Sequence, residues 1–189
     1  MQEKLQEIIP RIIKGDQEAF RSVVEHYQHP AFTLAFRIIG DEEEAKDAVQ
    51  EGFIKIWQRI ESYKPFHKFS SWMFRIMANC AIDKVRKIRR RNEVTMEEVS
   101  GKLQKIYSGD PDVTMDNKEM ARMIRILAGR LPEKQQLVFI LRDIQGMESP
   151  EVQDILGISE TRVKSNLHHA RKSIREKIDR IFLLERSRL

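Results

Sequence analysis

Between Asp41 and Arg91 the apolar residues recur at three- and four-residue steps and do not alternate, which constrains the chain to helices here. Ala45, Ala48, Val49, Gly52, Phe53, Ile56, Trp57 and Ile60 form one stripe of helical period. Asp41 precedes it as a candidate N-cap, with Glu44 at the capping-box spacing. A second helix is predicted from Ser70 or Ser71 to Arg91, after a short aromatic loop. Charge divides the stretch. Residues 41–62 carry seven acids against three bases, while positions 84–91 hold six bases and no acid.

The rest of the chain reads the same way. Leu5, Ile8, Ile9, Ile12 and Ile13 mark a first helix that ends near Gly15, and Asp16 caps the next. Pro30 is expected to kink or break that second helix, because it removes a donor and clashes with the previous turn. Residues 1–91 therefore read as one helical domain. Residues 92–117 hold Gly101, Gly109 and Pro111 with few apolar side chains, and read as a linker with at most a frayed helical turn at 96–103. Residues 118–189 read as a second helical domain, with stripes through Met120, Met123 and Leu127, through Leu137, Val138, Ile140 and Leu141, and through Val152 and Ile155. Ser149 is read as the cap of the helix that ends at Gly157. A long basic helix then runs from Ser159 through Val163, Leu167, Ala170, Ile174, Ile178 and Ile181. Two helices across the Gly157 turn, the second basic, form a helix-turn-helix signature. The expected fold class is all-α, with two helical domains joined by a flexible linker.

Composition narrows the class of function. The single cysteine, Cys80, permits neither an internal disulfide nor a cysteine-based metal site, and it fits a reducing, cytoplasmic setting. The N-terminus lacks the apolar core of a signal peptide, and no apolar run approaches the ~18–20 residues of a membrane span, so no membrane insertion is expected. Net charge is +5, concentrated in residues 159–189, where nine bases face four acids.

Three constellations carry function. On the last helix, with Val163, Leu167 and Ala170 inward, Glu160, Thr161, Arg162, Lys164, Ser165, His168 and His169 face out, where a recognition helix places side chains that donate to base edges and phosphates. The loop and following helix start hold Lys64, Phe66, His67, Lys68, Ser70 and Ser71 with Tyr63, Phe69 and Trp72. This interleaving of cations, hydroxyls and aromatics suits unstacked single-stranded DNA. Trp72, in register with Ile76, reads better as core. The third is the acidic face of Asp47, Gln50 and Glu51 beside apolar Ile54, suited to a basic protein partner. Asp47 and Glu51 as a metal pair lack further ligands in register, and the five histidines show no ligand spacing. No metal, cofactor or catalytic group is expected.

In this order the features resemble bacterial RNA polymerase sigma factors of the extracytoplasmic-function (ECF) group. Residues 47–57 (DAVQEGFIKIW) are similar to region 2.2, residues 69–86 (FSSWMFRIMANCAIDKVR) to regions 2.3 and 2.4, and residues 131–171 to region 4. The resemblance implies a non-enzymatic factor, monomeric when free, that gives core RNA polymerase its promoter specificity. Asp47, Gln50, Glu51 and Ile54 would dock on the clamp helices of the largest subunit, and the second domain would engage the flap region. The loop would hold a flipped base of the melted −10 element, with Arg75, Asn79, Asp83, Lys84, Arg86 and Lys87 along the adjoining DNA. The helix from Ser159, with Arg171 in addition to the outward residues above, would read the −35 element. An anti-sigma factor is a further expected partner.

This sequence departs from the family at three places. Arg162-Val163-Lys164-Ser165-Asn166 stands for the common Thr-Val-Lys-Ser-Arg, and His169 for an arginine. Met73 replaces a second tryptophan of housekeeping sigma factors; since methionine stacks poorly, weaker melting is expected. Two rival readings are a helix-turn-helix regulator that binds duplex DNA without polymerase, and a nucleic-acid enzyme with a metal at 41–51. The first leaves the acidic face and aromatic loop idle; the second lacks a nucleophile–base pair.

Overall fold

A computed structural model describes residues 2–65, 68–91 and 117–186. The first domain holds α1 (Gln2–Ile13), α2 (Gln17–Ile39), α3 (Glu42–Arg59) with a closing 3-10 turn (Ile60–Ser62), and α4 (Phe69–Arg91). The second holds α5 (Asn117–Ala128), α6 (Glu133–Phe139) continued by a π turn (Ile140–Ile144), α7 (Ser149–Leu156) and α8 (Glu160–Arg186). The described residues contain no strand, as the periodicity predicts. Among them, no helix is long and apolar enough to cross a membrane. The linker reading falls almost wholly outside the described residues.

Helix starts follow short polar caps. The Asp16 carboxylate accepts from the Ala19 N–H at 3.0 Å, and Asp41 from the Glu44 N–H at 3.0 Å. At the end of α2, Gly40 takes φ 83°, a left-handed conformation that favours glycine, and its N–H returns to the Phe36 carbonyl at 2.8 Å.

Two expectations need correction. Pro30 does not break the helix: α2 runs through it from Gln17 to Ile39. An interior proline costs about 3 kcal/mol, but Tyr27, Ala31, Leu34, Ala35 and Ile38 on either side are all buried. Burying each large apolar side chain contributes about 1.5–3 kcal/mol, so packing on both sides of Pro30 outweighs the lost bond. Ser149 is not the cap of α7 but its first residue. Glu148 occupies the cap, its N–H donating to the Glu151 carboxylate at 3.2 Å. The Ser149 hydroxyl is buried and has no hydrogen-bond partner among the described residues.

In the first domain α2, α3 and α4 pack pairwise against one another, with α1 laid on α2. α4 contributes Phe69, Met73, Met77, Cys80 and Ala81, all buried. At Gly52 α3 comes so near to α4 that an added Cβ would collide with the Met77 sulfur. The second domain gathers Met123, Leu127, Leu131, Phe139, Ala170 and Ile174 between α5, α6 and α8. Its other side does not face solvent. Leu137, Val138, Leu141, Val152, Ile155 and Val163 belong to the same apolar cluster as the first domain, and α7 packs along α4.

Gly52→Ala is expected to overpack this crossing, because Met77 is buried and has little room to move. Unfolding should be easier by about 1–3 kcal/mol, on the order of 2–4 °C in Tm per kcal/mol. Thermal unfolding followed by circular dichroism measures it, and an unchanged Tm would mean the crossing is looser than the geometry indicates.

Candidate nucleic-acid interface

The acidic surface of α3 exists because the apolar stripe turns Ala45, Ala48, Gly52, Phe53 and Ile56 inward. Asp47 and Gln50 are exposed, and Ile54 is 52% exposed. Glu51 is half-buried and paired with Lys55 at 2.6 Å, and that hydrogen bond holds its carboxyl below the usual carboxylate range. Asp47 is not isolated either. The Lys84 ammonium reaches across from α4 to Glu44 at 2.7 Å and Asp47 at 3.2 Å, and these bonds raise its pKa, that to Glu44 most. Lys84, expected along the DNA, is thus mainly a cross-link between α3 and α4. Gln50 and Ile54 are left as the outward part of the face. Beside them Val24, Phe32, Val49 and Phe53 line an open groove of about 470 Å³.

The aromatic loop divides in two. Phe66 and His67 lie outside the described residues. Lys64 and Lys68 are exposed at its ends. The aromatics around them form a small stack, with Tyr63 centred 5.4 Å from Phe69 and 5.5 Å from Trp72. Phe69 is buried and Trp72 half-buried, which agrees with reading Trp72 mainly as packing. Ser71 is buried and Ser70 half-buried. Met73 is 0% exposed, on the stripe that meets α2 and α3. It is therefore a core residue with no DNA to stack on, and the expectation that its identity weakens melting by direct stacking is corrected. Helical spacing signals this: Phe69, Met73 and Met77 stand four apart.

Further along α4, Arg75, Asn79, Arg86 and Lys87 are exposed and Asp83 is half-buried. The Arg75 guanidinium lies against Gly157, 2.7 Å from the position a Cβ would take there. Gly157 has φ 63°, a left-handed conformation that favours glycine. Arg86 forms a forked pair with Glu133, at 2.8 and 2.9 Å, and also touches Asp83 at 3.2 Å.

On α8 the inward residues are as predicted. Val163 and Ala170 are buried and Leu167 is half-buried. Ser159 accepts from the Arg162 N–H at 3.4 Å, a long capping bond that starts the helix at Glu160. Glu160, Thr161, Arg162, Lys164, Ser165, His168, His169 and Arg171 are all exposed. Glu160 and Lys164 pair at 2.7 Å, which lowers the Glu160 pKa. Arg171 forks onto Asp143 at 2.6 and 2.8 Å, tying α8 to the π turn. Arg171 therefore has a structural contact beyond its own helix.

Sequence reading missed the residues between the domains. Gln136 is 5% exposed, and its amide donates to the Ile38 carbonyl at 3.1 Å. Arg37 donates to the Ile144 carbonyl at 2.9 Å. These partners lie 98 and 107 residues apart along the chain, and no local pattern links them.

Comparison with known proteins gives these surfaces a family. Residues 23–91 match the sigma-70 region 2 family and residues 118–174 the sigma-70 region 4 family. The chain is 30% identical over 184 residues to the ECF RNA polymerase sigma factor SigW of Bacillus subtilis (strain 168), covering 94% of this chain and 98% of that protein. It is 30% identical over 183 residues to the ECF RNA polymerase sigma-E factor of Escherichia coli (strain K12), covering 92% and 93%. Among solved structures, CnrH in complex with the cytosolic domain of CnrY aligns with a TM-score of 0.63 at 25% identity, over 91% of this chain and 95% of that one. The two family matches take in more than half of the sequence, on the two helical domains just described, and the chain belongs to the ECF sigma factors of bacterial RNA polymerase.

Proposed function

We propose that promoter-specific initiation by this sigma factor is divided among three helices, within domains spanning residues 1–91 and 118–189. On α3, Gln50 and Ile54, with Asp47 and Glu51 behind them, form the docking face for the clamp helices of core polymerase. The observation that carries this is Ile54, a large apolar side chain 52% exposed in the middle of an acidic surface. An apolar anchor ringed by charge is the usual anatomy of a protein-binding site. Lys64, Phe66, His67, Lys68, Ser70 and Ser71, with Arg75, Asn79, Asp83, Arg86 and Lys87 of α4, take the −10 element. Lys84 acts there through the placement of α3. Thr161, Arg162, Lys164, Ser165, His168 and His169 of α8 read the −35 element. The second domain also meets the flap region. CnrH is solved in complex with the cytosolic domain of CnrY, and that likeness supports a protein partner for this chain, for which an anti-sigma factor is our reading. Catalysis belongs to the polymerase. A helix-turn-helix regulator acting alone has no use for the α3 face.

Charge reversal at Asp47 would also break its pair with Lys84, so Ile54 gives the cleaner test. Ile54→Asp is expected to leave Tm unchanged and to weaken binding to core polymerase about tenfold, the effect of about 1.4 kcal/mol lost at an apolar anchor. Fluorescence anisotropy against core enzyme measures it, and wild-type affinity would remove α3 from the docking site. On α8, Arg162→Ala with Lys164→Ala should reduce −35-dependent initiation. If both side chains touch phosphates, the slope of log affinity against log salt should fall by up to about 1.8, at ~0.9 per contact. An unchanged footprint over the −35 element would mean the wrong face of α8 had been chosen.

A further inference from the structure

The outward surface of α8 near its start is basic or neutral except at one place. Glu160, the first residue of the helix, is the only acid in residues 159–175 of the sequence. A carboxylate there is repelled by phosphates, since the N-terminal end of a recognition helix is the part that enters the major groove. Its local duty is already filled, because the Ser159 hydroxyl accepts from the Arg162 N–H and caps the helix. At the start of α7 the Glu151 carboxylate turns back to accept from the Glu148 N–H. Glu160 instead points forward along its helix, to the Lys164 ammonium at 2.7 Å. That hydrogen bond holds the Glu160 carboxyl below the usual carboxylate range, so it is ionised at neutral pH. Both side chains remain exposed. An acid in the first turn also suits the helix dipole, and the experiment below separates that role from reading DNA.

An outward ion pair of this form is a hydrogen-bond acceptor held beside a donor. The major-groove edge of a C·G pair is its complement. Cytosine N4 is a donor and guanine O6 an acceptor, and because the two are bonded to each other they stand about 2.9 Å apart, close to the spacing of the carboxylate and ammonium. Carboxylates accept from cytosine N4, and lysine donates to guanine O6 and N7. Other pairs fit worse. Adenine offers an amino donor as well, but its N7 lone pair lies beside it, and its partner thymine puts a methyl group where lysine finds guanine N7. Guanine and thymine opposite Glu160 present only acceptors to the carboxylate.

We infer that Glu160 and Lys164 together read one C·G base pair of the −35 element, Glu160 on the cytosine and Lys164 on the guanine. This deepens the assignment of α8 to the −35 element and rests on it. The pair carries no net charge, so it sets the choice of sequence and adds little to non-specific attraction.

The test is initiation by core polymerase loaded with the full chain, on a promoter library randomised over the −35 element. The wild type should favour C·G over A·T at one −35 position by about tenfold, as a well-placed base contact does. Glu160→Ala should abolish that preference, and Lys164→Ala should weaken it at the same position. Glu160→Gln should move the preference there from cytosine to adenine, because an amide accepts from N6 and donates to N7. A variant that had merely lost helix stability would not gain a new base. Base preferences over the −10 element should stay as in the wild type, which shows that each variant is folded and loaded. A −35 preference that survives both Glu160 variants would overturn the pair. So would a uniform change over all −35 sequences, upward from relieved phosphate repulsion or downward from a frayed helix. The two readings fail separately. A −35 preference untouched by the Glu160 variants removes the pair and leaves α8 in place, whereas a holoenzyme with no −35 preference at any position removes the assignment of α8 and the pair with it.

Discussion

Burial of α4 on both sides is the constraint on which the rest of the structure depends. One side, through Phe69, Met73, Met77 and Ala81, closes the first domain against α2 and α3. Another side receives α7 of the second domain. A helix used in this way has little surface left for solvent, and what is left carries Arg75, Asn79, Arg86 and Lys87. Its apolar residues fix the fold, and its remaining exposed cations are the ones proposed to serve DNA. Gly52 follows from the same constraint, since only a residue without a side chain lets α3 approach Met77 so closely.

Charge is used twice in this molecule. The acidic start of α3 and the basic tail of α4 attract each other first within the fold, through Lys84 to Glu44 and Asp47. What this pairing leaves facing outward is smaller than composition suggests, and it is more sharply placed: Gln50 and Ile54 on α3, and an exposed polar and basic surface on α8. Exposed ion pairs contribute only about 0–1 kcal/mol each. They therefore orient the helices and their partners, while the apolar clusters supply most of the stability.

Much of the fold was legible in the sequence because it is written in local periodicity. The stripes on α3 and α4, the caps at Asp16 and Asp41, and the turn at Gly157 each depend on residues within one or two turns. The inward set on α8 was readable for the same reason. Pro30 misled because a local helix-breaking rule was outweighed by the packing of Tyr27, Ala31 and Leu34. Ser149 misled by a single position, its neighbour Glu148 being the cap. Met73 misled because comparison with the family suggested a DNA-facing role, while its four-residue spacing from Phe69 and Met77 already placed it inside. What could not be read was the meeting of the domains. Gln136 with Ile38, Arg37 with Ile144, and Arg86 with Glu133 are pairs across 98, 107 and 47 residues, and polar residues at helix ends carry no signature of a distant carbonyl.

Run-off transcription by core RNA polymerase reconstituted with the purified chain on a promoter library tests the central claim most directly. The account predicts stable association with core enzyme and initiation from a restricted set of promoters sharing −35 and −10 sequences. Failure to bind core polymerase, together with tight sequence-specific binding of duplex DNA by the chain alone, would contradict it.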